Sequence, residues 1–353
     1  MLVRFRVAAL ILSLPAWCAA GWGQLAPSPD APPVSSAPAQ ASGDETATLK
    51  LNVNLVDVFF TVRDKNGRLV PRLTRDDCTV TEDQAPQKLK SFAAETSLPL
   101  TLGILLDTSG SQYRVLAKEK EAGDRFLAQV LKAKDEAFLL SFDVNVDLLQ
   151  DITGDVQLLT RGMDKAAINT AGGNGAAGTP GAGGGTIPTI GKPKGTLLYD
   201  AVYLAASQVM NQVTGRKAMI LLTDGQDEGS KTRIGEAIAA AQKSNVPVYA
   251  ILIADRSFYE DVNFGDIGYG GYSAMKKMTE ETGGRLIDVG NNSKKLEAAF
   301  EQIEDELRTQ YAASYTPSNA VLDGGFRWLG VACRGDGLKV QVRKGYFAPG
   351  GRN

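Results

Sequence analysis

From Leu51 the chain alternates. Leu51, Val53, Leu55, Asp57, Phe59 and Thr61 stand against Asn52, Asn54, Val56, Val58, Phe60 and Val62. This imperfect two-residue period, rich in β-branched and aromatic side chains, predicts a strand. Asp64-Lys65-Asn66-Gly67 reads as a turn, and Arg68-Leu69-Val70 as the start of a returning strand. Short strands are predicted at 78–82 and 88–93, split by the turn Glu82-Asp83-Gln84-Ala85-Pro86. A unit of this size buries too little apolar surface to stand alone.

Beyond residue 98 the pattern changes. Residues 101–106 and 136–142 are almost continuously apolar, as expected of strands buried on both faces. Between them, 112–133 carries Val115, Leu116, Phe126, Val130 and Leu131 among charges, which predicts a surface helix. Further helices are predicted at 155–167, 197–212, 233–244, 273–282 and 293–310, and strands at 217–223, 247–253 and 285–289. Such alternation predicts an α/β fold, a Rossmann-like doubly wound and mostly parallel sheet covered on both faces. Strand patterns at 311–316, 326–332 and 338–343 break the alternation. They are expected to complete the first β unit. On that reading an α/β domain (98–312) is inserted into a small antiparallel β-sandwich-like unit made of 48–96 and 313–348.

The 353 residues have room for one full domain and a small companion. A net charge of −2 offers no basic field for nucleic acid or an anionic membrane surface. The chain has no histidine, which excludes His-based acid/base chemistry, Ser-His-Asp triads and His-ligated zinc. Arg4 and Arg6 precede the apolar run Val7 to Trp17, and small residues follow at Ala19, Ala20 and Gly21. This reads as a signal peptide over 1–23, cleaved between Ala20 and Gln24, too short to span a bilayer that needs about 20 apolar residues. A lipid anchor on Cys18 is the rival, against which Pro15 and Trp17 stand. No later segment reads as a transmembrane span. Residues 24–47, rich in Pro, Ala and Ser, read as a solvated linker. The protein is therefore expected to be periplasmic or extracellular. Cleavage leaves Cys78 and Cys333, an even pair that suggests a disulfide in an oxidising compartment, with two buried free thiols as the alternative.

The candidate chemistry sits at strand ends. Asp107-Thr108-Ser109-Gly110-Ser111 follows the apolar strand, where open α/β sheets bind ligands. Asp107, Ser109 and Ser111 can face one point and offer a hard-oxygen half-shell for Mg²⁺, Mn²⁺ or Ca²⁺. Leu221-Leu222-Thr223-Asp224-Gly225 sets a second carboxylate, Asp224, at another strand end, and Thr196 adds a hydroxyl at a helix start. Each has a plainer reading taken singly: Asp107, Ser109 or Thr196 as a helix cap, Thr223-Asp224-Gly225 as a turn. Their shared context favours the metal.

Together these motifs resemble a von Willebrand factor type A domain with a complete metal-ion-dependent adhesion site, matched by Asp107, Ser109, Ser111, Thr196 and Asp224 over about residues 98–312. Thr196-Leu197-Leu198-Tyr199-Asp200-Ala201 and Leu222-Thr223-Asp224-Gly225-Gln226-Asp227 look like bacterial members. The flanks, Val62 to Asp64 with Gly67, Thr79 to Asp83, and Phe326-Arg327 with Lys344-Gly345-Tyr346, resemble a secreted bacterial family related to that domain. Cys78 departs from it, where an aromatic core residue would be expected. The resemblance implies a binding module rather than an enzyme, with no catalytic residue and a protein partner that presents Asp or Glu to the cation. Asp224 would act through water. Two other functions compete: an envelope structural protein with a stabilising metal, and a metal-assisted hydrolase.

Smaller features belong to the same rim. Asp227 and Glu228 are either second-cation ligands or an exposed acidic loop. The eight glycines of 171–185 lack the Gly-Lys-Ser/Thr ending of a phosphate loop, since Gly191-Lys192 is followed by Pro193. Phe258, Tyr269 and Tyr272, in a loop expected at 255–272, are candidate partner contacts.

Overall fold

The computed structural model describes residues 55–94, 98–169, 195–254 and 267–350, with backbone only for 267–270. The predicted signal and linker, the glycine-rich segment, Phe258 and the side chain of Tyr269 lie outside the described residues. Strands are β1 (Val56–Arg63), β2 (Cys78–Glu82), β3 (Ala85–Pro86), β4 (Leu89–Ala94), β5 (Leu100–Asp107), β6 (Glu136–Phe142), β7 (Val146–Thr153), β8 (Arg216–Thr223), β9 (Val248–Leu252), β10 (Leu286–Asp288), β11 (Tyr311–Tyr315), β12 (Phe326–Cys333), β13 (Lys339–Val342) and β14 (Gly345–Phe347). Helices are α1 (Leu116–Val130), α2 (Val156–Lys165), α3 (Leu198–Leu204), α4 (Ile234–Lys243), α5 (Ile267–Thr282) and α6 (Ser293–Arg308).

The central sheet runs β10-β9-β8-β5-β6-β7, parallel throughout except for the antiparallel edge strand β7. Its strands read as unbroken apolar runs because both faces are covered. Ile104, Leu139, Ile220 and Ile251 pack with Phe126 of α1 and Phe300 of α6 on one face. Leu105, Phe138, Leu221 and Ala250 pack with Val202 of α3, Ile238 of α4 and Met278 of α5 on the other. The two-residue period of each strand thus sorts alternate side chains between two cores.

The remaining strands form two antiparallel sheets, β13-β1-β11-β4 and β14-β12-β2-β3. Each mixes strands from before residue 95 with strands from after 310. Val58, Phe60, Val80, Tyr311, Tyr315 and Tyr346 share their core. β4 and β11, which bracket the α/β segment in the chain, are themselves paired, Tyr311 opposite Ala94. The segment therefore leaves and re-enters the β unit at adjacent points. Residues from Asn52 onward form one compact unit. Cys78 and Cys333 are opposite each other in β2 and β12 and are disulfide-bonded. Cys78 takes up its core position as half of that bridge, where an aromatic was expected.

Several expectations need correction. β11 starts at Tyr311, as the strand pattern at 311–316 predicts, and ends one residue early at Tyr315; Tyr311 stacks with Phe60 in the β core. Residues 68–70 form no strand; only an isolated bridge joins Arg63 to Leu69. The first helix starts at Leu116 rather than 112, after a 3₁₀ turn at Gly110–Gln112. β7 was not predicted: as a half-exposed edge it has neither a continuous apolar run nor a clean alternation. Tyr272 lies on α5 and is exposed, where a loop was expected.

Beneath the sheet the two parts meet at a buried acid. Glu306 of α6 is fully buried and takes Arg63 Nη2 of β1 at 2.5 Å, Arg285 Nη2 at 2.6 Å and Gln341 Nε2 of β13 at 3.0 Å.

Candidate metal centre

Asp107 is the last residue of β5, and β8 is its parallel neighbour, with Leu106 opposite Leu222. That register sets Asp107 beside Thr223 and brings Asp224, one residue on, to the same rim. Thr223 Oγ1 donates to Asp107 Oδ2 at 2.7 Å and accepts from the Gly225 N–H at 3.0 Å. Asp107 Oδ1 accepts from the Ser109 N–H at 3.0 Å, which folds the following loop back over the strand end. Ser109 Oγ and Ser111 Oγ then lie 3.0 Å apart. Ser109 stands at the N-cap position of the 3₁₀ turn Gly110–Gln112 but makes no side-chain capping bond, and α1 begins after Val115.

Thr196 reaches the rim through its backbone. It pairs with Glu228 in both directions, at 2.9 and 3.0 Å, and Leu197, not Thr196, is the N-cap of α3. Asp143, just past the end of β6, holds the neighbouring loops together. It accepts from Thr108 Oγ1 at 2.9 Å and Asn169 Nδ2 at 3.0 Å, and its carbonyl accepts from the Leu197 N–H at 2.8 Å. Gly225 adopts φ 82°, and a Cβ there would meet the Gly271 carbonyl oxygen at 2.8 Å, so the loop carrying Asp224 needs glycine to pack against α5. Asp227 is committed to the fold. Its Oδ1 accepts from Ser230 Oγ at 2.6 Å and the Tyr199 N–H at 3.1 Å, and so it is neither a free acidic loop nor an open cation ligand.

Asp107, Ser109, Thr196 and Asp224 are buried, and Ser111 is partly exposed. Burial, and then the charge of Asp224, push the Asp107 carboxyl up to about 8. Among the described residues no Lys or Arg makes an ion pair with Asp107 to offset this. Two carboxylates crowded out of water, beside hydroxyls with lone pairs to spare, fit a hard divalent cation and no soft metal. The described residues hold no group of three or more His, Cys, Asp or Glu placed as ligands.

One residue escaped the sequence reading. Glu119 of α1 is fully buried, and neither carboxylate oxygen has a hydrogen-bond partner among the described residues. Burial pushes its carboxyl well up, and the charges of Asp107 and Asp224 push it further.

No protein-family model and no curated protein matches the sequence. Solved structures do. Over its α/β segment the chain is similar to von Willebrand factor type A domains. A von Willebrand factor type A protein from Catenulispora acidiphila aligns at 11% identity and TM-score 0.46, over 85% of this chain and 75% of that one. The vWF domain of the type V pili tip protein Mfa5 from Porphyromonas gingivalis aligns at 13% and 0.43, over 60% and 95%. Proximal thread matrix protein 1 from the mussel byssus, with a zinc-occupied MIDAS motif, aligns at 14% and 0.45, over 64% of this chain and only half, 50%, of that one. Such likeness is one of fold; the roles of the residues rest on their own geometry.

Proposed function

We propose that the protein is an exported, non-enzymatic binding module. Asp107, Ser109, Ser111, Thr196 and Asp224 hold a divalent cation (magnesium, manganese or calcium), to which a protein partner presents an Asp or Glu side chain. One observation carries the reading: two buried carboxylates end adjacent strands, one of them driven up to about 8 by the other and by burial, with serine hydroxyls at its side. When bound, the cation would supply the positive charge on which an outside carboxylate closes. The protein's own groups make that charge available. Three of the five donors are neutral hydroxyls, so the site delivers less negative charge than an all-carboxylate cage would. Thr223 fixes one oxygen of Asp107 and the Ser109 N–H the other, which holds the carboxylate at the strand end. Export rests on the predicted signal peptide, and no helix among the described residues is long and apolar enough to cross a membrane.

The structural alternative, in which the cation only stabilises, draws on the bridged β unit. A hydrolase is weaker, as no histidine is present to act as its base. A pull-down from the native exported fraction separates them. Partner capture should require divalent metal, vanish in chelator and vanish in Asp107→Ala. Capture indifferent to chelator overturns the reading. Strong thermal stabilisation by metal without any metal-dependent partner favours the structural role.

A further inference from the structure

Glu119 lies on the inward stripe of α1, one turn from Leu116 and two from Phe126, yet carries an acid with both oxygens unpartnered among the described residues. Native folds rarely keep such a group without use, because a polar side chain withdrawn from water and left unbonded destabilises the folded state. Its surroundings offer no local compensation. Beside it is a small cavity of about 10 Å³, space for about one water, whose walls include Val115, Ile253, Val289 and Leu296. Lys118 reaches the same cavity, but its Nζ donates to Asn291 Oδ1 at 2.9 Å on the exposed side. The same cavity leads to the candidate metal centre: Ile253, which lines it with Glu119, donates its N–H to the Thr223 carbonyl at 2.9 Å, and Thr223 Oγ1 holds Asp107 at 2.7 Å. Glu119 is not one of the ligands, since no third acid gathers with Asp107 and Asp224 at ligating range.

We infer that Glu119 is a positioning residue of the cation site, a third acidic group that stands behind Asp107 and Asp224 and strengthens their hold on a divalent ion. The inference rests on the metal-binding reading above and gives a buried acid, otherwise detrimental to the fold, a reason to be there. It predicts opposite signs for stability and for binding. An apolar side chain of similar size should suit the cation-free fold at least as well as Glu119 does. Cation binding should suffer.

The test is calorimetric titration of Mg²⁺ into the chelator-stripped exported chain, wild type against Glu119→Gln and Glu119→Leu, with melting curves in chelator. Both variants should melt at or above the wild-type temperature in chelator and bind Mg²⁺ about 10-fold or more weakly, as groups that support metal ligands generally do. Where Glu119→Leu does not fold, Glu119→Gln decides, since it keeps the shape and removes the ionisable carboxyl. Wild-type Mg²⁺ affinity in the folded variants overturns this inference alone. A wild type that binds neither Mg²⁺, Mn²⁺ nor Ca²⁺ overturns it together with the reading beneath it.

Discussion

Two glutamates are wholly buried among the described residues, and their treatment could hardly differ more. Glu306, near the C-terminal end of α6, has two arginines and a glutamine on its oxygens. Glu119 has no partner among the described residues and is acted on by two further acids. α6 touches both regions: its start lines the cavity beside Glu119, and its end carries Glu306, about 20 Å away at 1.5 Å per residue. At the Glu306 end the α/β part is anchored to the β unit, and the buried charge is neutralised within the chain. At the Glu119 end the buried acid has no such partner among the described residues. On the proposed reading, the cation supplies at this end the positive charge that arginines supply at the other.

The contrast is open to attack. The largest effect is expected at the closed end. Glu306→Ala leaves Arg63 and Arg285 facing each other, which should cost about 3 kcal/mol in urea denaturation, the low end for a broken buried pair because both arginines keep some solvent. Mg²⁺ affinity should not change. A loss below about 1 kcal/mol would mean that the anchor is ornamental. Next comes Asp107→Ala, for which calorimetry should register a drop in Mg²⁺ affinity of about 100-fold, or 2.8 kcal/mol, with little change in the melting temperature in chelator. Equal affinity would remove the open end from the comparison altogether. Smaller again, Cys78→Ser with Cys333→Ser should lower stability by about 2 kcal/mol without touching cation binding. Two alkylated thiols in the native, unreduced protein would show that the bridge is absent.

How much of this was legible follows from the reach of each signal. Asp107, Ser109 and Ser111 were legible because one short loop carries all three immediately after an apolar run, and Asp224 because a second run ends the same way. The insertion was legible in the return of strand patterns after α6. Glu119 was hidden by its neighbours. Lys118-Glu119-Lys120-Glu121 looks like the solvated face of a helix, and only the spacing of Leu116, Glu119, Gly123 and Phe126 puts the acid on the buried stripe. Counting that stripe position by position would have found it. Nothing local betrays the cluster around Glu306, whose partners lie as much as 243 residues from it in the chain. β7 was lost for a third reason: an edge strand in contact with water on one side has weak patterning of either kind.

The smallest prediction extends the contrast to pH. Asp135, just before β6, belongs with the neutralised acids of the closed end. Its carboxylate accepts from Arg308 Nη2 at 2.8 Å and from the Leu100 and Lys132 N–H groups at 2.9 and 3.1 Å. Burial alone would raise this carboxyl, but the Arg308 bond and the two backbone bonds outweigh it and hold it below the ordinary 3.8. A carboxyl lowered by folding binds its proton less readily in the folded chain than in the unfolded one. Its contribution is therefore complete above about pH 4 and disappears as acid takes the pH down through the folded value. Asp135→Asn should accordingly melt below wild type at pH 7, and the gap should close between about pH 4 and pH 2. A gap of constant size would mean that Asp135 contributes through shape rather than charge, and the closed end would owe its hold to Glu306 and packing.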